Sequence, residues 1–208
     1  MSALSLPAKA ASSTRTHILL GACYFFLAFG ILAIGYAGFV FAGSQRYQAL
    51  ELKKFEQAGR ISEPHLLAEG EVIGEIQVPR LGLSVMVVQG DSPASLRHAV
   101  GHVVKSALPG EGGNVALAGH RDTYFRPLRD IQVGDEIRFK TPAHSFLYVV
   151  ESIEIVAPTD IQVLEASSGH DLTFVTCFPF YYVGPAPKRF IVRAREVDRM
   201  PRGQLAEQ

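Results

Sequence analysis

The segment Leu172–Tyr182, "LTFVTCFPFYY", contains one of the two cysteines of the chain inside an apolar run. Its first part, Leu172–Phe178, has the length and composition of a buried β-strand. A second such run, Arg189–Val197, follows the loop "PFYYVGPAPK". Three prolines and a glycine in that loop prevent either strand from continuing through it. We therefore predict a β-hairpin.

The register of this hairpin determines what lies beside the cysteine. Pairing that is symmetric about Val183 places Cys177 opposite Arg189 and Val175 opposite Ile191, with all four side chains on one face. A neighbouring positive charge favours the thiolate form of cysteine and can stabilise an oxyanion. Taken singly, the cysteine can be an ordinary packing residue and the arginine a solvated charge at a strand end; taken together, they indicate chemistry.

Further short runs between turn residues predict additional strands, at Val72–Val78, Leu83–Val88, Asn114–Ala118, Glu136–Phe139 and Phe146–Ile155. Helical material is scarce: we predict a helical segment at "SPASLRHAV" and a turn at "YFRPLRD". Regularly spaced short strands of this kind are typical of an all-β barrel or sandwich. A barrel has the advantage that no long strand edge is exposed.

His120 is the best of the seven histidines as a proton-transfer partner for a reactive cysteine. It ends the strand-like run "GGNVALAGH" and precedes a loop, and Ala118 and Gly119 are expected to leave open space beside it. An isolated histidine at a strand end is more often structural. Four other histidines stand in polar or turn surroundings, and we expect them on the surface: His98, His102, His144 and His170.

The N-terminal part predicts a membrane anchor. Residues 18–42 carry no charge, and as a helix they would extend ~37 Å, enough to cross a hydrocarbon core of ~30 Å. The stretch is too long for a cleaved signal peptide. We expect a cytoplasmic tail (1–17), a signal anchor (18–42) containing Cys23, a stalk (43–69), a folded domain (70–199) and a C-terminal tail (200–208). Lysines and arginines flank the span on both sides, so the distribution of positive charge does not determine its orientation. A single N-terminal span before a large domain usually leaves the short tail in the cytoplasm, and the predicted chemistry agrees with an extracytoplasmic domain.

The composition excludes several classes of partner. Lys+Arg and Asp+Glu number 20 each in 208 residues, so no basic excess indicates nucleic acid binding. Two cysteines in such different surroundings cannot supply a disulfide framework. With the proposed orientation, Cys177 is an unpaired exported thiol, which is unusual enough to indicate reactivity. No cofactor is expected.

Three segments, in the family's order and approximate spacing, resemble the sortases, which are membrane-anchored cysteine transpeptidases of bacterial surfaces. "LAGHRDTYFRPL" resembles their histidine segment, and "KRFIVRAR" resembles the strand that carries their arginine. "TFVTC" resembles their T-L-x-T-C signature, with Phe174 where leucine is usual. The sequence around the cysteine is most similar to that of class D-like sortases, and the resemblance covers about residues 70–197.

The resemblance implies an eight-stranded closed β-barrel with short helices. It also implies cleavage of a Leu-Pro-x-Thr-Gly-type sorting motif through a cysteine thioester, and transfer of the acyl group to an amine acceptor. By the same resemblance, Cys177 is the nucleophile, His120 the general acid and base, and Arg189 the stabiliser of substrate and oxyanion. Four residues match positions that line the groove for the Leu-Pro part of the motif: Ala118, Thr173, Val175 and Ile191.

Some sortases bind calcium through acidic loop residues. Here Glu111, Asp160 and Glu165 lack ligand-like spacing, so we predict no bound metal and no calcium dependence. Two other functions stay open as alternatives. The L,D-transpeptidases favour Ser-x-Gly-Cys before the nucleophile, where this chain has Phe-Val-Thr-Cys. A tethered β-barrel that binds peptides without cutting them would not need all three catalytic residue types.

Overall fold

A computed structural model of the chain describes residues 11–57, 67–165 and 168–201. Part of the predicted stalk, residues 58–66, lies outside the described residues, as do residues 1–10 and 202–208 of the two predicted tails. The chain divides into two compact units, residues 1–45 and 46–208. The first contains most of the N-terminal helix, and the second contains the folded domain.

Helix α1, Ala11–Gln57, is 47 residues long and contains the whole predicted membrane span. Its stretch Leu19–Phe39 is long and apolar enough to cross a membrane, and none of it is buried against the rest of the protein. A helix that is apolar on every side and exposed is compatible with a membrane span. The charged segment that follows the span is helical as far as Gln57, so no break separates the predicted anchor from the start of the stalk.

The folded domain is a closed barrel of eight strands. This confirms the predicted barrel and excludes the alternative, a β-sandwich. The strands are β1 (Val72–Val78), β2 (Leu83–Gln89), β3 (Val100–His102), β4 (Gly113–Ala118), β5 (Glu136–Lys140), β6 (His144–Val156), β7 (His170–Phe178) and β8 (Lys188–Pro201). Their order around the barrel is β1-β2-β3-β4-β7-β8-β6-β5, and β1 pairs with β5 to close it. β8 extends two residues beyond the predicted end of the domain.

Seven of the eight strands agree with the runs predicted from the sequence, and β3 was missed. Its three residues are too few to show an alternation of polar and apolar side chains, and all three are buried. β3 pairs in parallel with β2 and antiparallel with β4, so it connects the two halves of the barrel wall. The backbone N–H and C=O groups of β2 and β4 need hydrogen-bond partners, and β3 supplies these partners.

The short helices lie in the loops. The predicted helical segment forms α2, which is only four residues long, Pro93–Leu96, and the predicted turn forms a 3-10 helix at Arg126–Asp130. Two further 3-10 helices, at Pro79–Leu81 and Ile161–Leu164, were not predicted. The last of these packs on the outer side of the barrel wall, where the backbone carbonyl of Val163 accepts a hydrogen bond from the Asn114 side chain at 3.4 Å.

The barrel core is formed by every second residue of each strand. On β7, Leu172 and Phe174 point into the core, and the Phe174 ring packs on the fully buried Phe125 ring with 5.1 Å between centroids. Cys177 lies an odd number of residues away and therefore faces outward. The replacement of leucine by phenylalanine in the T-L-x-T-C pattern is thus a core substitution on the face opposite the cysteine.

The expectation that His102 lies on the surface is wrong. Its side chain is buried at the end of β3, and its ring nitrogens are hydrogen-bonded to the Gln89 side chain and to the carbonyl of Ala107, both at 2.9 Å. The Ser106 hydroxyl lies 3.0 Å from the second nitrogen. Burial lowers the pKa of the His102 imidazole, against the weaker opposing effect of its carbonyl contact. Polar residues near His102 in the sequence therefore did not indicate a solvent-exposed ring. One of them, Ser106, is a contact of the buried ring.

Candidate active site

The β7–β8 hairpin has the register expected from the sequence. Cys177 pairs with Arg189, and Val175 pairs with Ile191. Side chains directly opposite each other on antiparallel strands have Cβ atoms about 4.5–5.5 Å apart, so the thiol and the arginine side chain start as neighbours. Cys177 is a free, half-buried cysteine, and Arg189 is half-buried too.

Strand β4 brings His120 to the other side of Cys177. β4 runs parallel to β7 and pairs Ala118 with Val175. The pairing continues beyond the strand, because the amide of Gly119 donates to the carbonyl of Val175 at 3.1 Å. Two residues after each member of the Ala118–Val175 pair come His120 and Cys177, which places them side by side. By the two-residue period, both face outward.

Three neighbouring strands thus converge on one patch of the outer barrel surface. Cys177 lies on the central strand, with His120 beyond the end of β4 on one side and Arg189 at the start of β8 on the other. The His120 side chain is exposed, and among the described residues its ring has no hydrogen-bond partner. Arg189 donates from Nη1 to the carbonyls of Ala186 and Lys188, at 3.3 and 3.1 Å, which draws its guanidinium to the hairpin loop.

The threonine that precedes the cysteine has a clear structural role. The Thr176 hydroxyl is buried and donates to the backbone carbonyl of Gly119 at 2.7 Å. Gly119 directly precedes His120, so this bond ties the histidine segment to the cysteine strand. The sequence analysis assigned Thr176 no role, although the T-L-x-T-C signature contains it directly before Cys177.

The open space expected beside His120 does not exist at Gly119. A Cβ atom there would lie 2.7 Å from the ring of Phe125, a distance that real Cβ atoms do not tolerate. Phe125 is fully buried, and its amide donates to the carbonyl of His120 at 3.1 Å. Glycine is therefore required because the Phe125 ring fills that space, and the same phenylalanine holds the turn after His120.

Arg121 is a second residue whose role the sequence patterns did not reveal. Its Nη2 donates to the carbonyls of Tyr182 and Gly184, at 2.7 and 3.1 Å, and its guanidinium lies 5.9 Å from the centre of the Tyr182 ring. These contacts bind the loop after His120 to the loop between Cys177 and Arg189. The signal in the sequence was a basic residue directly after the histidine.

The four residues predicted to line a substrate groove divide into two pairs. Ala118 and Val175 are partly exposed next to Cys177 on the outer face. Thr173 and Ile191 are on the same face but buried, at 1% and 0% exposure. The Thr173 hydroxyl donates to the Asn114 side chain at 2.8 Å, so its hydrogen bond is already used within the protein. Of the four, only Ala118 and Val175 are therefore exposed enough to contact a bound peptide, and the groove itself stays a prediction.

The acidic residues considered for calcium lie in turns. Glu111 accepts a hydrogen bond from the amide of Leu108 at 2.9 Å, and Asp160 accepts one from the amide of Ala157 at 3.0 Å. Among the described residues, no three His, Cys, Asp or Glu side chains form a group that could hold a metal ion. Independence from calcium stays a prediction.

The arrangement suits acyl transfer through cysteine. Arg189, which pairs with Cys177 across the hairpin, can supply a hydrogen-bond donor for a developing oxyanion. An exposed imidazole on the opposite side can give a proton to a leaving amine and take one from an incoming amine. The hydroxyl of Thr176, the ring of Phe125 and the guanidinium of Arg121 fix the backbone around these groups, as preorganisation requires.

Comparisons with known proteins agree with this geometry. A family model described as the Sortase domain matches residues 76–197. The chain is 30% identical to Sortase D of Bacillus subtilis (strain 168) over 190 residues, which cover 83% of this chain and 96% of that protein.

Solved structures show the same fold. A Sortase D5 transpeptidase of Clostridium perfringens superposes with a TM-score of 0.65 at 27% identity, covering 74% of this chain and 98% of that one. Sortase E1 of Streptomyces coelicolor, solved with a tripeptide in its active site, has a TM-score of 0.58 at 30% identity. That match covers 66% of this chain and 95% of the other.

Proposed function

The chain belongs to the sortase family, and from this membership we propose that it is a membrane-anchored cysteine transpeptidase. It cleaves a Leu-Pro-x-Thr-Gly-like sorting motif through a thioester on Cys177 and transfers the acyl group to an amine acceptor. The observation that supports the proposal is the position of Cys177 on β7, between the end of β4, which His120 follows by two residues, and the start of β8, which carries Arg189.

The first half of the reaction forms the thioester. The Cys177 sulfur attacks the carbonyl of the threonine in the motif, and the guanidinium of Arg189 donates hydrogen bonds to the oxyanion that develops. His120 gives a proton to the departing glycine amine, and the C–N bond breaks. The exposed ring of His120 and the outward direction of Cys177 are consistent with these roles.

The second half reverses these roles. An amine acceptor enters where the glycine left, His120 takes its proton, and the nitrogen attacks the thioester carbonyl. The C–S bond breaks and the thiolate is released beside Arg189. The Leu-Pro part of the motif lies along Ala118 and Val175, which are the partly exposed members of the predicted groove set.

The cellular location follows from α1. We propose that its apolar stretch Leu19–Phe39 crosses the cell membrane once and leaves the barrel on the extracytoplasmic side, where surface proteins carrying a sorting motif are found. The bilayer is then a partner of the helix alone.

The decisive experiment is to trap the thioester. Full-length protein in a neutral detergent is incubated with a Leu-Pro-x-Thr-Gly-type peptide and small variants of it, and the adduct is mapped by mass spectrometry. We expect an acyl adduct on Cys177 that is released faster by an added amine than by water, and no adduct on Cys177→Ala. An adduct on another residue, or none with any motif variant, would refute the proposal.

The same experiment separates the two alternatives. A peptide-binding barrel without activity would protect Cys177 from a thiol reagent when the sorting peptide is present, yet would form no thioester. An L,D-transpeptidase-like enzyme would be acylated by a peptidoglycan stem peptide and not by the sorting motif. Membership in the sortase family favours neither of these outcomes.

A further inference from the structure

A cleft of about 250 Å³ opens next to the candidate active site. One side is formed by the segment that follows His120, and the other by the loop that follows Cys177. Three arginines and Asp122 line the first side: Arg121, Arg126 and Arg129. The aromatic residues at positions 180–182 line the second. Three cations against one carboxylate give this cleft an excess of positive charge.

Several guanidinium donors in the cleft are not used within the protein. Arg121 bonds the loop through Nη2, whereas its Nη1 is buried and has no hydrogen-bond partner among the described residues. Arg126 is exposed, and no ion pair or hydrogen bond joins its guanidinium to any described residue. Arg129 is partly used, since it bonds Asp130 at 3.0 Å and the Tyr181 hydroxyl at 2.6 Å.

These donors match a carboxylate. Guanidinium groups donate paired, charge-assisted hydrogen bonds to carboxylate oxygens, and a buried N–H without a partner is costly until an acceptor arrives. A ligand of the cleft should therefore carry an anionic group, and a carboxylate is the anionic group that amino acids and peptides present near their amines.

The position of the cleft indicates which reactant carries that carboxylate. Along β7, Val175 comes before Cys177 and belongs to the side on which the acyl half of the motif lies. Residues 180–182 come after Cys177, so the cleft lies on the opposite side of the sulfur, where the amine half leaves and the acceptor enters. The carboxylate-binding cleft is on the amine side of the reaction.

We propose that this cleft binds a carboxylate group of the amine acceptor, with Arg126 and Arg129 as the binding residues and Arg121 holding the loop that forms the other side of the cleft. The inference rests on the proposed transpeptidase function and names the chemical class of its second substrate. In the transfer step, the acceptor nitrogen forms a bond to the thioester carbon while the C–S bond breaks. The amine proton passes to His120, and the carboxylate takes no part beyond binding.

The test compares acceptors that differ only in that charge. Full-length protein in neutral detergent receives a sorting peptide and one of two matched amine pairs: Gly-Gly and its amide, or Lys and its amide. Mass spectrometry measures thioester formation and transfer separately. In at least one pair we expect the carboxylate form to react roughly tenfold faster than the amide at low acceptor concentration.

Variants then identify the residues. In Arg126→Gln and in the Arg126→Gln/Arg129→Gln double variant, the ratio of the carboxylate to the amide rate should fall toward one. Because the same amines are compared in each protein, their intrinsic reactivity cancels from this change in ratio. Arg138→Gln is the matched control: Arg138 lies on β5, three strands from β7, and pairs with Glu136 at 3.4 Å. It should leave the ratio unchanged.

The outcomes separate this inference from the proposed function. A thioester that forms normally but shows no carboxylate preference, or a preference that survives the double variant, overturns the acceptor site alone. Slower thioester formation in the arginine variants, with an unchanged ratio, would mean that the arginines bind the departing segment, and would also overturn it. If no thioester forms with any peptide, the transpeptidase proposal fails and this inference fails with it.

Discussion

Replacing Thr176 with valine tests whether one buried hydroxyl positions His120. The substitution keeps the shape of the side chain and its β-branching and removes the donor that reaches the Gly119 carbonyl at 2.7 Å. The hydrogen bond from the Gly119 amide to the carbonyl of Val175 remains, and so does the pairing of β4 with β7. The variant therefore loosens the attachment of His120 without separating the strands.

The expected loss of stability follows from burial. Thr176 is 3% exposed, so water cannot replace the lost donor, and the carbonyl of Gly119 is left without that partner. A buried acceptor deprived of its partner costs about 1–3 kcal/mol in the free energy of unfolding. For a domain of this size, this corresponds to a fall in Tm of at least about 3 °C.

The expected loss of activity follows from the position of the bond. Misplacing a general acid and base by a fraction of an ångström weakens proton transfer in both halves of the reaction. If the loss of this hydrogen bond raises the activation free energy by about 1.4 kcal/mol, the rate of thioester formation falls roughly tenfold. Binding of the sorting peptide should change little, so the effect should be on kcat rather than KM.

The assay is thioester formation by full-length protein in detergent, with thermal unfolding followed by circular dichroism. Thr141→Val is the control, because the Thr141 hydroxyl also donates to a backbone carbonyl, that of His144 at 3.0 Å, in the turn between β5 and β6. It should leave the reaction rate unchanged. A Thr176→Val protein that loses stability but reacts as fast as wild type would show that this bond only holds the fold together.

Three further predictions concern neighbouring residues. Arg189→Lys keeps the charge but cannot reproduce the two parallel donors of a guanidinium, so the rate of thioester formation should fall by about 10²–10³; a rate within a few-fold of wild type would mean that Arg189 acts only as a charge. Gly119→Ala places a Cβ atom within 2.7 Å of the buried Phe125 ring. We expect a fall in Tm of several degrees and a lower kcat; if neither value changed, the close contact would be refuted. Burial lowers the pKa of His102, so the unfolded chain binds its proton more readily, and the free energy of unfolding should decrease as the pH falls below about 6.5, by at most about 1.4 kcal/mol per pH unit. Chemical denaturation of wild type and His102→Gln at pH 7.5 and pH 5 measures this, and an equal pH dependence in both would contradict it.

Local patterns in the sequence were enough for the elements whose physics is local. The strands of the β7–β8 hairpin follow from composition and from the prolines of their loop. The register follows from where that loop ends, so the sequence alone was enough to place Cys177 opposite Arg189. The membrane span is equally local, because a continuous apolar stretch longer than a bilayer is thick needs no tertiary partner to be recognised. The strand pattern also singled out His120 among the histidines, whereas the prediction of a closed barrel with eight strands came from the family resemblance.

Tertiary structure alone decided which distant segments meet. The parallel pairing of β4 with β7 joins residues 57 positions apart in the chain, Ala118 with Val175, and no periodicity in either strand specifies that partner. Once they pair, the Thr176 hydroxyl reaches Gly119 and the turn after His120 lies beside Cys177. β3 and the burial of His102 have the same origin, because a three-residue strand and a polar ring are stabilised only by the neighbours that surround them. Sequence determines such contacts through the packing of the whole core, which local patterns do not display.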